Sequence, residues 1–218
     1  TAYDLVGFQT EADLAAFRSA VEHLYGAGAW LGDGVVKIGE RTMRAGVFPI
    51  GVDVDALQAL AVEAQQHEEV RRMVASLAGR RLLVGVDRLD YSKGLVERFQ
   101  AYEQLLETHP ENVGRVTLLQ IAPLSRTDVQ AYARIRRNLE QSSGRTNGRF
   151  GEADWTPIRY LNRNYRQSVL MGFLRAAHVG LVTPVRDGMN LVAKEFVAAQ
   201  DAADPGVLVL YTMAGSAR

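Results

Sequence analysis

Beyond Arg81 the chain is punctuated by five short apolar runs, at residues 82–86, 116–121, 158–161, 179–182 and 207–210. They are apolar on consecutive positions rather than alternate ones, which is the pattern of strands covered on both faces of a sheet. Between the runs the period changes to that of helices. Leu95, Phe99, Tyr102 and Leu106 recur at helical spacing, as do Val129, Tyr132, Ile135 and Leu139, where Thr127 and Gln130 make a capping-box pair. Val169, Leu170, Phe173 and Leu174 mark a third helix. Residues 191–200 mark a fourth, with Asn190 placed as its N-cap. Strands alternating with helices predict βαβ units, and so an α/β fold: a Rossmann-like, doubly wound parallel sheet.

The first eighty residues read differently. A helix is expected from Thr10 to Leu24 on the stripe Leu14, Phe17, Val21 and Leu24. A Gly-rich stretch at 26–39 follows, then a strand over 43–50, and one polar helix over about 54–77. The change of pattern places a domain boundary near Asp53, so that 1–53 is the edge of one domain and 54–218 a second.

In a parallel sheet with right-handed crossovers, every strand-to-helix loop emerges at the carboxyl edge of the strands. That geometry groups residues remote in sequence. The first such loop carries Asp87, Arg88, Asp90, Tyr91, Ser92, Lys93 and Gly94. The second carries Ser125 and Arg126, the third Asn162 and Arg163, and the fourth Arg186, Asp187, Gly188, Met189 and Asn190. Taken singly, each has a plain structural reading: Arg88 and Lys93 as solvated loop charges, Arg126 as a surface partner of Asp128, Glu195 as an exposed helix residue. Taken together, Arg88, Lys93, Arg126, Arg163 and Arg186 ring one edge with positive charge. The Gly188-Met189-Asn190 turn meanwhile leads into a helix N-terminus, whose free N–H groups and dipole favour phosphate. Glu195, on the second turn, has the chemistry to accept two adjacent ribose hydroxyls. From the residues alone the prediction is a nucleotide- or sugar-phosphate-binding domain.

Composition narrows this by exclusion. The 218 residues hold 25 basic and 25 acidic side chains, four histidines and no cysteine. A net charge of zero offers no electrostatic footprint for nucleic acid or a membrane surface. No apolar run is long enough to span a bilayer, and no basic-then-apolar leader opens the chain. The expected location is cytoplasmic, a reducing compartment that suits a chain without cysteine. No G-x-G-x-x-G follows the first strand, since Gly32-Asp33-Gly34 and Gly26-Ala27-Gly28 are incomplete and misplaced, and there is no P-loop. His23, His67, His109 and His178 share no ligand spacing, so no metal and no resident cofactor are expected.

Three runs carry a resemblance: Asp87-Arg88-Leu89-Asp90-Tyr91-Ser92-Lys93-Gly94, the 121–132 run with Ser125-Arg126 and Asp128-Val129-Gln130-Ala131-Tyr132, and 182–195 from Val182 to Glu195. Residues 4–10, 48–53 and 155–157 add to it. The sequence resembles the trehalose-6-phosphate synthases, retaining glycosyltransferases of the two-Rossmann-domain GT-B type. The resemblance implies transfer of glucose from a nucleotide-diphosphate donor, UDP-glucose first, to glucose 6-phosphate, without a metal. It implies Arg88 and Lys93 on the diphosphate, with Asp187 completing the catalytic set. Asp187, Gly188, Met189 and Asn190 would hold the donor, Leu191 and Val192 would line its nucleotide pocket, and Glu195 would bind the ribose. Arg126 would reach the acceptor phosphate. It further implies that residues 1–53 end an acceptor domain and that 54–218 are most of a donor domain. The alternatives are a glucosylglycerol-phosphate synthase and a non-catalytic nucleotide-sugar-binding module. A homo-oligomer is compatible with the sequence, which does not specify assembly.

Overall fold

A computed structural model describes residues 3–124 and 130–217. The chain divides into two compact units, one ending at Gly51 and the other running from Val52 to Ala217.

The first unit is a four-stranded sheet with one helix. Strands β1 (Leu5–Phe8), β2 (Trp30–Gly32), β3 (Val35–Ile38) and β4 (Arg41–Val47) lie in the order β1-β4-β3-β2, with β1 parallel to β4 and the other pairs antiparallel. Helix α1 (Glu11–Tyr25) begins as expected, with the Thr10 side chain accepting from the Asp13 N–H. The Gly-rich stretch is itself structured. Asp33 and Gly34 both have positive φ, +49° and +73°, and turn β2 into β3. An Asp-Gly pair suits such a hairpin turn, which is what Asp33 and Gly34 make here. The expected strand over 43–50 starts two residues earlier and stops at Val47, ahead of Pro49, which has no N–H to continue the ladder.

The second unit holds the five predicted strands: β5 (Arg81–Val86), β6 (Val116–Ile121), β7 (Ile158–Leu161), β8 (Val179–Val182) and β9 (Val207–Leu210). All four neighbouring pairs are parallel, in the order β7-β6-β5-β8-β9. The chain winds outward from β5 in one direction, then returns to its other side, so the order reverses between β5 and β8. That reversal opens a crevice at the carboxyl ends of the two strands.

Helices α2 (Val54–Ala64), α3 (Glu68–Ala75), α6 (Gln167–Ala176) and α7 (Leu191–Ala199) contribute to a core on one face, where Leu57, Val70, Leu82, Met171 and Phe196 are buried together. Helices α4 (Leu95–Thr108) and α5 (Gln130–Phe150) serve the other face, around Phe99, Leu106, Leu118, Leu139 and Trp155. The predicted capping-box residue Thr127 lies outside the described residues. The single helix expected over 54–77 is two helices. Leu57, Ala61 and Ala64 keep helical spacing, but Val70 comes six residues later, about 120° off that stripe on an unbroken helix. The backbone breaks at His67, extended at φ −63°, ψ 131°, so that both stripes reach the core. Strand β9 also departs from expectation, since Val207 and Val209 are exposed and an apolar groove of about 570 Å³ runs along Leu83, Leu181 and Val209.

His178 opens a pH dependence in this unit. Its Nδ1 accepts the Leu82 N–H at 3.2 Å, which requires a neutral ring nitrogen there. Burial, with the Arg81 charge, holds the ring below its ordinary 6.5. As pH falls through 6.5 the unfolded chain takes up this proton first, so stability is lost on acidification. The melting temperature of His178→Asn, which keeps an acceptor without the titration, is expected to fall less than wild type's between pH 7.5 and 5.5. Identical slopes would remove His178 from the acid sensitivity.

Candidate functional site at the strand reversal

The loop after β5 begins with Asp87, buried, followed by the exposed Arg88. Asp90 then organises the turn, its Oδ1 accepting from both the Ser92 N–H and the Ser92 hydroxyl at 2.9 Å. Burial would lift the Asp90 carboxyl, but these two bonds, with the charges of Lys93 and Arg88, outweigh it and hold the group below its ordinary range. Gly94 enters α4 at φ +63°, and a Cβ there would sit 2.2 Å from the Thr183 carbonyl oxygen. Only glycine allows that approach. The loop after β8 is thereby pressed against the first: the Ser92 carbonyl accepts the Val185 N–H at 2.8 Å and the Arg186 N–H at 3.4 Å.

The pairing of these loops places Lys93 against Asp187. Lys93 Nζ and Asp187 Oδ2 form an ion pair with both side chains mostly buried, and Asn190 Nδ2 donates to the same oxygen at 3.1 Å. Asn190 does not cap α7 as expected. It occupies the N-cap position with φ +70°, ψ 89°, and its side chain, turned to Asp187, makes no capping bond. An asparagine tolerates this left-handed backbone better than most residues, and the first N–H groups of α7 are left without a side-chain cap. Met189 is nearly buried, while Leu191 and Val192 are half-buried on the first turn. Glu195, one turn further, has no hydrogen-bond partner among the described residues, and burial alone pushes its carboxyl above the ordinary value.

Sequence reasoning missed the segment behind this loop. Asp187 N–H donates to the Met213 carbonyl at 3.1 Å, Gly215 N–H to the Asp187 carbonyl at 2.9 Å, and Ser216 N–H to the Met189 carbonyl at 2.8 Å. A Cβ on Gly215 would come within 1.9 Å of the Gly188 carbonyl oxygen. Residues 213–216 thus brace 187–189 through backbone bonds, and the small Ala214-Gly215-Ser216 run is its signal in the sequence.

The four described cations of the expected ring do not form one cluster. Arg88 and Lys93 share the β5 loop, and Arg186 is exposed beside Ser92. Arg163 follows β7, two strands away from β5, where it pairs with Glu69 at 3.5 Å and lies over the Tyr165 ring at 4.5 Å. Arg126 lies outside the described residues. Among the described residues no group of three His, Asp or Glu side chains gathers where a metal could sit, and no helix is long and apolar enough to cross a membrane.

The two loops therefore bring Lys93, Asp187 and Asn190 into contact at the N-terminus of α7, with Arg88 on the same loop as Lys93 and the half-buried Glu195 one turn into the helix. Cations and free N–H groups of this kind suit an anionic ligand. Comparison with known proteins gives the family. Residues 1–218 match the sequence profile of Glycosyltransferase family 20. The trehalose-6-phosphate synthase of Sinorhizobium fredii is 48% identical over 216 residues, covering 99% of this chain and 46% of that protein. A crystal structure of a UDP-forming α,α-trehalose-phosphate synthase from Burkholderia xenovorans shares 52% identity with a TM-score of 0.94, over 99% of this chain and 48% of that one. A second structure from that organism, in complex with glucose 6-phosphate, shares 51% identity with a TM-score of 0.93, over 98% of this chain and 48% of that one. The chain spans about half the length of the relatives it matches. Matched along its whole length, and sharing its fold with those synthases, the chain belongs to glycosyltransferase family 20.

Proposed function

We propose that this chain is the donor-binding part of a trehalose-6-phosphate synthase, which moves glucose from UDP-glucose to glucose 6-phosphate with retention and without a metal. The observation that carries the reading is the meeting of Lys93 and Asp187 across the strand reversal, at the open N-terminus of α7. In this reading residues 54–218 are the donor domain, 1–53 end the acceptor domain, and the protein works in the cytoplasm. A UDP-forming relative and a relative holding glucose 6-phosphate support the choice of donor and acceptor.

Donor binding recruits Lys93 from Asp187 to the diphosphate, where Arg88 joins it, and frees the Asp187 carboxylate for the sugar hydroxyls. The N–H groups at Gly188, Met189 and Asn190 face phosphate oxygens, Leu191 and Val192 wall the nucleotide, and Glu195 accepts the ribose hydroxyls. Arg126 holds the acceptor phosphate. The bond from C1 to the phosphate oxygen breaks as the acceptor oxygen bonds to C1 on the same face, and the acceptor proton passes to the departing phosphate oxygen. The leaving diphosphate gains negative charge in this step, which is the charge Arg88 and Lys93 stabilise.

Incubation of the relatives' full-length form of this protein with UDP-glucose tests the reading, with glucose 6-phosphate or glycerol 3-phosphate as acceptor. Trehalose 6-phosphate as the product supports it. A product formed only from glycerol 3-phosphate would assign a glucosylglycerol-phosphate synthase, and no transfer to either acceptor would leave a binding module. Glu195 gives a second test. Only the ionised carboxylate accepts both ribose hydroxyls, so UDP affinity is expected to fall with decreasing pH, from a higher pH than an ordinary carboxylate would give. Glu195→Gln should weaken binding by roughly 10- to 100-fold at pH 7.5, about 1.5–3 kcal/mol, and flatten that pH profile. An unchanged profile would take Glu195 out of the site.

A further inference from the structure

Beneath the two loops lies a buried arginine that no role above uses. Arg98 is on the second turn of α4, and its guanidinium, with 2% of the side chain exposed, reaches back under the strand ends. Nη1 donates to Asp87 Oδ2 at 2.6 Å and to Gln120 Oε1 at 2.8 Å, while Nε donates to Thr183 Oγ1 at 2.9 Å. Those acceptors stand at the carboxyl ends of three strands: Asp87 directly after β5, Gln120 at the end of β6, and Thr183 directly after β8. Asp87 precedes Arg88, and Thr183 opens the loop that reaches Asp187. One side chain therefore ties together the bases of the loops that carry the diphosphate cations and the donor carboxylate.

We propose that Arg98 is a positioning residue for glucosyl transfer, its guanidinium fixing the separation of the β5 and β8 loops so that Lys93 and Arg88 meet the leaving diphosphate. The inference rests on the transferase reading above. Two features set the arrangement apart from ordinary core packing. A buried ion pair is weak evidence for stability, since well-packed apolar residues generally serve as well. The central strand also gives up a side chain to house it: a Cβ on Gly85 would lie 2.4 Å from Gln120 Oε1 and 2.5 Å from Arg98 Nη1. In return, a planar fork sets acceptors on three strands at fixed angles, which neither an apolar contact nor a lysine does. Transfer is sensitive to such placement, because a shift of about 1 Å in a catalytic group can cost roughly 100-fold in rate.

Thr183→Val and Arg98→Lys in the full-length protein test this. The first removes only the β8 acceptor and leaves the pair with Asp87; the second keeps the charge and loses the fork. Transfer is measured per UDP-binding site, counted by titration, so that loss of folded protein does not enter the rate. The expected result is a fall in kcat of about 10- to 100-fold in each variant, with KM for UDP-glucose within about threefold, and a double variant little worse than either single one. Unchanged kcat per binding site in Thr183→Val, with only the melting temperature lowered, would overturn the positioning role while leaving the transferase reading intact. A wild-type protein that binds UDP but transfers nothing would overturn the transferase reading, and this inference with it.

Discussion

Replacing Lys93 with alanine is expected to lower kcat/KM of the full-length transferase by about 30- to 1,000-fold, a loss of about 2–4 kcal/mol in transition-state stabilisation. The size follows from where charge develops. In the proposed reaction the glucosyl bond breaks toward the diphosphate, and the Ser92 turn with the close approach of Gly94 to Thr183 fixes the loop that carries the Lys93 ammonium. Lys93 pairs with Asp187, so part of the energy of its contact with a diphosphate goes to exchanging partners. The loss should therefore fall more on kcat than on KM, since the interaction strengthens as the leaving group departs. Arg88→Ala should behave alike, with exposed Arg88 free of any ion pair among the described residues. Steady-state rates with UDP-glucose check both variants, and a kcat/KM within about threefold of wild type would remove the leaving-group role.

The second large effect concerns stability. Arg98→Met is expected to cost about 3–5 kcal/mol, because it leaves Asp87 as an unpaired carboxylate with only 3% of its side chain exposed. Burial lifts Asp87 above its ordinary 3.8 even with Arg98 opposing it, and without Arg98 nothing of that strength remains to oppose it. A carboxyl whose folded pKa is raised is stabilising below its unfolded value, and that stability is lost as pH rises through the folded pKa. The deficit of Arg98→Met should accordingly deepen from pH 5 to pH 8. Adding Asp87→Asn removes the charge and should recover most of the loss. Urea unfolding of the single and double variants at the two pH values measures this, and a deficit independent of pH, or one that Asp87→Asn leaves untouched, would contradict it.

The parallel sheet was legible because its strands are continuous apolar runs separated by helix-period segments, a pattern that few other folds produce. Lys93 and Asp187, ninety-four residues apart, were brought together by topology alone. The same rule specifies an edge without a position along it, and Arg163 shows the difference: the strand order puts β7 two places from β5, and the third loop turns to Glu69 and Tyr165. Gly32-Asp33-Gly34 makes no phosphate fingerprint, and its Asp-Gly dipeptide is instead a hairpin signal. Arg98 lies near the start of α4 next to Phe99, and a charged helix residue ordinarily faces water; only the acceptors at the ends of three strands give it a buried place. The brace at 213–216 is made by backbone groups and so leaves little trace in side-chain pattern.

Calorimetric titration of the 218-residue chain with UDP, alongside Lys93→Ala, tests most directly the claim that the strand reversal is a nucleotide-diphosphate site, with GDP and ADP reporting the preferred base. Saturable one-to-one binding of UDP that weakens in Lys93→Ala is the expected result. A folded chain that does not bind UDP, or binds it equally well without Lys93, would contradict the assignment of the site.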